Sequence, residues 1–184
     1  EKYLNKDNDS ENKFSNYLNT ITKQIKDIEH LVNEFSDFAR MPKPKLKKIN
    51  LSKVVSRSLS LLQLSEKDIT FTFVGKDSNS YIKGDEEQIN RVFMNLIKNS
   101  IESINEKKRE NAVFKGKINV DIKQDSDYIY VEIEDNGVGF DEDNKKKMLT
   151  PYYTTKAKGT GLGLAIVTKI ISDHNSTILF NSIK

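Results

Sequence analysis

The sequence predicts an α/β (α+β) sandwich, in which helices cover one face of a mixed or antiparallel sheet and a long coiled-coil or bundle helix comes first. Three observations predict this class. Apolar residues repeat every 3.5 positions near the start of the chain, three later segments alternate apolar and polar residues, and further segments are amphipathic with a helical period. Because strands and helices do not alternate regularly, we do not expect a doubly wound parallel sheet.

The composition narrows the class of protein. The chain has 184 residues, of which 30 are basic and 27 acidic, and it contains no Cys and two His. Disulfide scaffolds, thiol catalysis and cysteine-ligated zinc are therefore excluded, and an all-histidine metal site is not expected. A nucleic-acid surface would use more Arg and would cluster its charge, so we do not expect nucleic acid as a partner. No apolar run reaches the roughly 18–20 residues of a membrane span, and no membrane contact is expected for this fragment.

The first predicted element is a helix with a strict heptad. Its apolar residues lie four and three positions apart over three heptads, as in a helix of a coiled coil or bundle. Two prolines in Met41–Pro44 then end the helix. One helix cannot bury such a seam alone, so the pattern predicts self-association or a partner helix; the alternative is that the seam packs on the rest of this chain. The seam consists of Phe14, Leu18, Ile21, Ile25, Ile28, Val32 and Phe35.

From about Leu51 onward the sequence predicts mixed helices and strands. We therefore place one domain at residues 1–44 and a second at residues 45–184, and we interpret the second as truncated near its C-terminal strand. The polar stretch Asp141–Lys147 and the segment after it are expected to form a mobile flap. The predicted helices are Leu51–Leu64, Asp85–Asn105 and Gly161–Asp173, and the predicted strands are Ile69–Phe73, Lys117–Gln124, Tyr128–Glu134 and Thr177–Phe180.

One face of the helix Asp85–Asn105 is unusual for a protein rich in Lys. On a helical wheel the broad apolar face is opposed by a narrow polar line that carries amides and an acid. Amide and carboxylate oxygens are ligands that suit Mg²⁺. The alternative is a polar outer face of ordinary composition. The residues of this line are Gln88, Arg91, Asn95, Asn99 and Glu102.

Two glycine-rich segments follow. In Asp135–Gly139 a strand ends in an acid, which could accept a hydrogen bond from an exocyclic amine such as that of adenine; the alternative is an ordinary Asp-Asn-Gly turn. In Lys158–Leu164 the glycines open a helix, whose free N–H groups could bind phosphate. This second segment matches neither the P-loop nor the Rossmann pattern.

Together these segments resemble one family. Asn95-Leu-Ile-Lys-Asn99 resembles the N box, Asp135-Asn-Gly-Val-Gly139 the G1 box, Pro151-Tyr-Tyr-Thr-Thr-Lys156 the F box and Gly159-Thr-Gly-Leu-Gly163 the G2 box of sensor histidine kinase ATPase domains. These domains belong to the GHKL superfamily of gyrase, Hsp90, histidine kinase and MutL. The resemblance implies a Bergerat-type fold for residues 45–184. Residues 1–44 resemble the second dimerisation helix of nitrogen-regulation-type kinases of the NtrY branch, without the helix that carries the acceptor His.

The resemblance implies a binding site for ATP and Mg²⁺. Asp135 would bind the adenine amine, Asn99 would ligate Mg²⁺ with Asn95 beside it, and Thr155 and Lys156 would contact the γ-phosphate. Asn95, Asn99 and Lys156 are the expected catalytic residues. The full set of expected ATP-binding residues is Asn95, Lys98, Asn99, Asp135, Gly137, Gly139, Thr155, Lys156, Thr160, Gly161, Leu162, Gly163 and Leu164.

The same resemblance implies a protein-histidine kinase. Gyrase-like and Hsp90-like members carry Glu where this chain has Asn95, and an amide cannot abstract a proton, so ATP hydrolysis is not expected. His30 lacks the acidic neighbour of an acceptor, so autophosphorylation in cis is not expected. Phosphate would pass to a histidine on another helix and then to an Asp of a response-regulator receiver domain. A homodimer through the heptad helix and a parent protein at the cytoplasmic face of a bacterial inner membrane are also implied, with the present fragment cytoplasmic. The alternative is a non-catalytic nucleotide-binding or dimerisation remnant or regulator.

Overall fold

The computed structural model describes residues 4–75, 79–154, 156 and 159–182, without the side chains of residues 4–13, 30, 142, 143 and 146. The chain divides into two compact units, Glu1–Met41 and Pro42–Lys184. In the described part of the chain, no helix combines the length and the apolar character that crossing a membrane requires.

The first unit contains one helix, α1 (Leu4–Ala39). It ends shortly before the two prolines, as the sequence predicts. All seven seam residues are exposed, from 47% for Phe35 to 63% for Phe14 and Ile28. The helix is therefore confirmed, and it carries an apolar stripe of the kind that marks association surfaces. His30 lies in α1, but its side chain is outside the described residues.

The described residues of the second unit form two sheets and four helices. The three-stranded sheet has the order β2-β4-β5, with β2 parallel to β4 and β4 antiparallel to β5, and a separate antiparallel pair joins β1 and β3. The strands are β1 (Lys47–Asn50), β2 (Ile69–Val74), β3 (Tyr81–Gly84), β4 (Gly116–Gln124) and β5 (Ile129–Asp135). The helices are α2 (Leu51–Gln63), α3 (Glu86–Glu110), α4 (Glu142–Met148) and α5 (Gly163–Asp173).

Helix α3 is the centre of this unit. Parallel neighbours such as β2 and β4 need a long crossover, and α3 lies in that connection. It packs against α2, α5, β4 and β5, so helices cover one face of a mixed sheet as predicted. The most completely buried apolar side chains are Val55, Ile97, Ile104, Ile118, Val120, Leu162, Ile166, Val167 and Ile170.

The sequence itself sets the ends of α3. Asp85 is the N-cap and its carboxylate accepts hydrogen bonds from the N–H groups of Glu87 and Gln88. Acidic residues occupy the first turn and Lys107, Lys108 and Arg109 the last, which complements the helix dipole. Because these basic residues favour the carboxyl end, the helix extends to Glu110 rather than ending at Asn105.

Three features differ from the prediction. The strands β1 and β3 were not predicted, because each has only four residues and too few apolar positions to show alternation. The predicted strand Thr177–Phe180 is not a strand, since no neighbouring strand pairs with it in the described chain, although its side chains alternate between half-buried and exposed. The polar stretch Asp141–Lys147, expected as part of a flap, forms most of α4.

Candidate functional site

The site begins with the amide of Asn95 on α3. An added Cβ at Gly163, the first residue of α5, would lie 3.8 Å from Asn95 Oδ1, so the start of α5 faces this side chain. Asn95 Nδ2 is buried and has no hydrogen-bond partner among the described residues. Buried polar atoms are almost always paired in native proteins. Asn95 Nδ2 therefore has unused capacity to donate a hydrogen bond.

One turn after Asn95, the polar face of α3 contacts the side-chain ammonium group of a lysine. The ammonium group of Lys156 contacts a carboxylate oxygen of Glu102 and lies 3.5 Å from Asn99 Oδ1. The Glu102 and Lys156 side chains are 54% and 36% exposed. Two oxygens of α3 therefore form an environment that favours positive charge. Hard oxygen donors of this kind also suit Mg²⁺, so the residues present fit the expected metal.

At the end of β5, the acidic turn is fixed by its own hydrogen bonds. Asp135 is half-buried, and its Oδ1 accepts a hydrogen bond of 2.9 Å from the N–H group of Gly137. The amide of Asn136 accepts from the N–H group of Lys117 at 2.8 Å and donates to the carbonyl of Lys115 at 2.9 Å. The Asp135 carboxylate is thus held in one orientation at the edge of the sheet.

The same turn is attached to α3. An added Cβ at Gly137 would lie 2.2 Å from Ser103 Oγ and 2.6 Å from a backbone atom of Ser103, so only glycine permits this approach. Lys107 Nζ donates hydrogen bonds of 2.9 Å to the carbonyl oxygens of both Asn136 and Gly137. Glycine at this position therefore serves the packing of the turn against the helix.

The glycine-rich segment before α5 packs against the F-box segment. Gly161 has φ +68°, and an added Cβ would lie 2.5 Å from the carbonyl carbon of Tyr152. The N–H group of Tyr152 donates to the Gly161 carbonyl at 3.1 Å. The N-cap residue of α5, Leu162, makes no side-chain capping hydrogen bond. Among the described residues, the first N–H groups of α5 thus lack the side-chain acceptor that usually caps a helix.

The sequence-predicted residues therefore meet along one helix. The start of α5 lies against Asn95, Lys156 lies at Asn99, and the Asp135 turn packs on Ser103 in the following turn of α3. A carboxylate at the end of β5, oxygens of α3 that hold a cation and a helix start without a side-chain cap in the described residues are compatible, in this order, with binding of a nucleotide and its metal.

The other expected ATP-binding residues have different settings. Thr155 lies outside the described residues. Lys98 is exposed, Leu164 is half-buried, and Leu162 is fully buried, so its side chain belongs to the core. Thr160 Oγ1 accepts from the Leu162 N–H group at 3.3 Å. An added Cβ at Gly139 would lie 2.5 Å from Ser182 Oγ, and the contact of Gly139 with a ligand stays a prediction.

Sequence reasoning missed two residues of this site and one contact. Glu102 was counted among the oxygens of the polar line of α3 that suit Mg²⁺, but its contact with Lys156, 54 positions away, was not predicted. Ser103 and Lys107 hold the Asp135 turn, but a small residue and a basic residue near a helix end carry no distinctive pattern in a sequence. Only the spacing of four residues from Asn99 to Ser103 and from Ser103 to Lys107 places them on the same side of the helix.

The start of α3 is fixed by a second network, far from Asn99 along the helix. The N–H group of Asp85 donates to His174 Nε2 at 3.0 Å, and His174 Nδ1 lies 2.8 Å from the Ile170 carbonyl. Both ring nitrogens of His174 therefore lie within hydrogen-bond distance of backbone groups. His174 is the C-cap of α5, as expected for a helix-end histidine, and it links α5 to the beginning of α3.

Comparison with protein families places this geometry in a known group. Residues 84–184 match the family described as histidine kinase-, DNA gyrase B-, and HSP90-like ATPase. This range begins just before α3 and includes every residue of the site.

Individual relatives agree with the family match. The chain is 33% identical over 168 residues to nitrogen regulation protein NtrY of Azorhizobium caulinodans, which covers 91% of this chain and 22% of that protein. It is 39% identical over 161 residues to a putative sensor histidine kinase NtrY-like of Rickettsia conorii, covering 88% of this chain and 26% of that protein. The chain therefore spans about a quarter of the length of these curated relatives.

Solved structures share the fold. The catalytic domain of histidine kinase ThkA superposes with a TM-score of 0.61 at 28% identity, covering 71% of this chain and 82% of that one. ThkA in complex with response regulator protein TrrA gives a TM-score of 0.69 at 25% identity, covering 87% of this chain and 44% of that one.

Proposed function

The chain belongs to the family of histidine kinase-, DNA gyrase B- and HSP90-like ATPases and carries the catalytic domain of a sensor histidine kinase, and from this premise we propose where and how it binds ATP. ATP with Mg²⁺ binds along α3 between the Asp135 turn and the start of α5. The γ-phosphoryl group is transferred to a histidine outside this chain and then to an aspartate of a response regulator. The observation that supports this most directly is the meeting of the four sequence segments along one helix.

Each residue has a role in this proposal that follows from its chemistry. Asp135 accepts the adenine amine, the Gly137 N–H group orients its carboxylate, and Asn136 and Lys107 hold the turn. The unpaired Asn95 amide and the uncapped first turn of α5 donate to phosphate oxygens. Asn99 Oδ1 is the protein ligand for Mg²⁺, which when bound supplies neutralisation of phosphate charge. Lys156 supplies a further positive charge for the γ-phosphate.

The proposed reaction depends on positioning rather than on a protein base. Phosphoryl transfer requires alignment of the attacking and leaving groups and neutralisation of charge. Asn95 cannot remove a proton, so the site does not activate water or a hydroxyl group through this residue. A neutral imidazole can attack without such a base. The site is accordingly suited to a histidine acceptor.

We also propose that α1 takes part in a homodimer. Its exposed apolar seam has the spacing of a coiled coil or bundle, and residues 1–44 correspond to a dimerisation helix in the resemblance above.

Calorimetric titration with ATP and Mg²⁺ tests the binding site. Saturable binding is expected, and Asp135→Asn should weaken it about 10- to 100-fold, since hydrogen bonds to charged groups contribute about 1.5–3 kcal/mol. Asp127→Asn, in the exposed β4–β5 turn, is the matched control and should leave the affinity unchanged. A folded chain with no saturable binding contradicts the proposal.

Phosphoryl transfer needs a separate experiment. The chain is incubated with radiolabelled ATP, Mg²⁺ and a separately purified dimerisation domain of a nitrogen-regulation-type kinase. Label should appear on that domain and not on this chain. Label on His30 would overturn the assignment of the acceptor, whereas ATP binding without any transfer would favour a non-catalytic nucleotide-binding module.

A further inference from the structure

The contact between Glu102 and Lys156 is not explained by nucleotide binding itself. Lys156 is the residue proposed to reach the γ-phosphate, yet in this structure its ammonium group contacts the Glu102 carboxylate, on the polar face of α3. The same ammonium lies 3.5 Å from Asn99 Oδ1, the proposed metal ligand. The lysine therefore lies in the cation environment that the oxygens of Asn99 and Glu102 form.

Charge considerations set this contact in competition with the contact to phosphate. A carboxylate at Glu102, three residues after Asn99 on the same face of α3, lies close to the region that the phosphates would enter. It attracts Lys156 and repels phosphate oxygens. Because Glu102 and the γ-phosphate compete for the same ammonium group, contact of Lys156 with the phosphate weakens its contact with Glu102.

We propose that Glu102 is a positioning residue that holds the Lys156 ammonium at Asn99 until the γ-phosphate of ATP takes its place as the partner. This inference rests on the proposed function and adds a regulation of the same site. The γ-phosphate of ATP compensates for the loss of the ion pair between Glu102 and Lys156. ADP has no γ-phosphate and gives no such compensation. Glu102 thus lowers the affinity for both nucleotides, and the exchange of partners favours ATP over ADP.

The ion pair can be tested without any nucleotide. Lysine acetylation of the whole chain by a small water-soluble reagent is followed by mass spectrometry, which gives the modification rate of Lys156 relative to the other lysines. Glu102→Gln should increase the relative rate at Lys156 at least 2-fold, and Glu102→Asp should largely restore it. Glu106→Gln, an exposed carboxylate one turn further along α3, is the matched control and should have no effect. An unchanged rate in Glu102→Gln contradicts the ion pair.

Nucleotide titrations test the consequence. In Glu102→Gln the affinities for ATP and ADP should both rise, about 2- to 10-fold, because a competing carboxylate is removed. In Lys156→Met the preference for ATP over ADP should fall. The effect of Glu102→Gln on ATP affinity should be smaller in the Lys156→Met background than in the wild-type background. If Glu102→Gln changes ATP affinity equally in the wild type and in Lys156→Met, the two residues are not coupled and the proposed exchange of partners is wrong.

Two further outcomes separate this inference from its premise. If Glu102→Gln weakens ATP binding when Mg²⁺ is present and not when it is chelated, Glu102 is a metal ligand and the inference is wrong. If the wild-type chain binds no nucleotide while acetylation of Lys156 still responds to Glu102→Gln, the ion pair is correct and the proposed function fails.

Discussion

At the scale of single residues, the glycines of the site serve two different purposes. Gly161 needs its left-handed backbone and its missing side chain, because Tyr152 lies against it. Gly163 has ordinary space for a Cβ, since the nearest atom would be Asn95 Oδ1 at 3.8 Å. The absence of a side chain at Gly163 is therefore not required for folding, which points to the approach of a ligand as its purpose.

Alanine substitutions should separate these purposes. Gly161→Ala should destabilise the folded chain by at least about 1–2 kcal/mol, the cost of the left-handed backbone alone. Gly163→Ala should leave the free energy of unfolding unchanged or slightly higher, because alanine favours a helix, and should weaken ATP binding. Urea unfolding and calorimetric titration of both variants measure the two effects. Equal loss of stability in both variants contradicts this distinction.

The residues of the site were predictable to different degrees. Asn95, Asn99 and Asp135 stand in segments whose local pattern indicates their chemistry. The ion pair of Glu102 with Lys156 and the hydrogen bonds of Lys107 to the Asp135 turn were not predictable, because each joins residues about 30 or more positions apart. Such contacts depend on the packing of α3 and not on any local pattern.

At the scale of elements, α3 depends on its N-cap. The carboxylate of Asp85 accepts from the N–H groups of Glu87, Gln88 and Lys45, so it joins the first turn of the helix to the segment before β1. Asp85→Ala should lower the free energy of unfolding by about 1 kcal/mol, the typical value for loss of a cap. Asp85→Asn should retain most of the stability at neutral pH, since asparagine also caps helices. Chemical unfolding at pH 7 measures both.

Acid should weaken the same cap. Burial raises the pKa of Asp85, but hydrogen bonds from the backbone N–H groups of Lys45, Gln88 and Glu87, with the nearby His174, lower the pKa below its usual 3.8. A carboxyl group with a lowered native pKa stabilises the fold above the unfolded pKa and loses that contribution as pH falls through the native one. Between pH 6 and pH 3, stability should fall less in Asp85→Asn than in the wild type. If the free energy of unfolding falls with pH equally in Asp85→Asn and in the wild type, other groups cause the acid sensitivity.

Helices and long strands were predicted well, and short elements were not. The predicted Lys117–Gln124 and Tyr128–Glu134 strands match β4 and β5 to within a residue or so, because alternation over seven or more positions is distinctive. In β1 and β3 four residues give no such pattern, and their pairing brings Ile49 opposite Ile82 only in the folded chain. Residues 177–180 show the opposite error. They alternate in exposure, but they form no strand because no neighbouring strand in the described chain pairs with them.

At the scale of the whole molecule, the second unit has its own core. Most of its buried apolar residues come from α2, α3, β4 and α5, with Ile49 of β1, Ile69 of β2 and Leu162 in addition, and the unit begins at Pro42. A chain that starts at Pro42 should therefore unfold cooperatively and bind ATP with the affinity of the full chain. Thermal unfolding and calorimetry test this, with the full chain as the control. Loss of the cooperative transition in the shorter chain would show that α1 is needed for folding of the catalytic unit.

The position of Gly137 on Ser103 has a consequence for the kind of nucleotide that fits. Asn99 and Ser103 are four residues apart, about 6 Å along the axis of α3. If Asp135 binds the base and Asn99 the metal, as proposed, the spacing of these two contacts is set by the rise of α3 between Asn99 and Ser103, on which the Asp135 turn packs. One extra residue inserted between them would rotate the two contacts by about 100° and abolish their alignment. Natural variation in this family should accordingly tolerate changes of loop length on either side of α3 and none within that single turn.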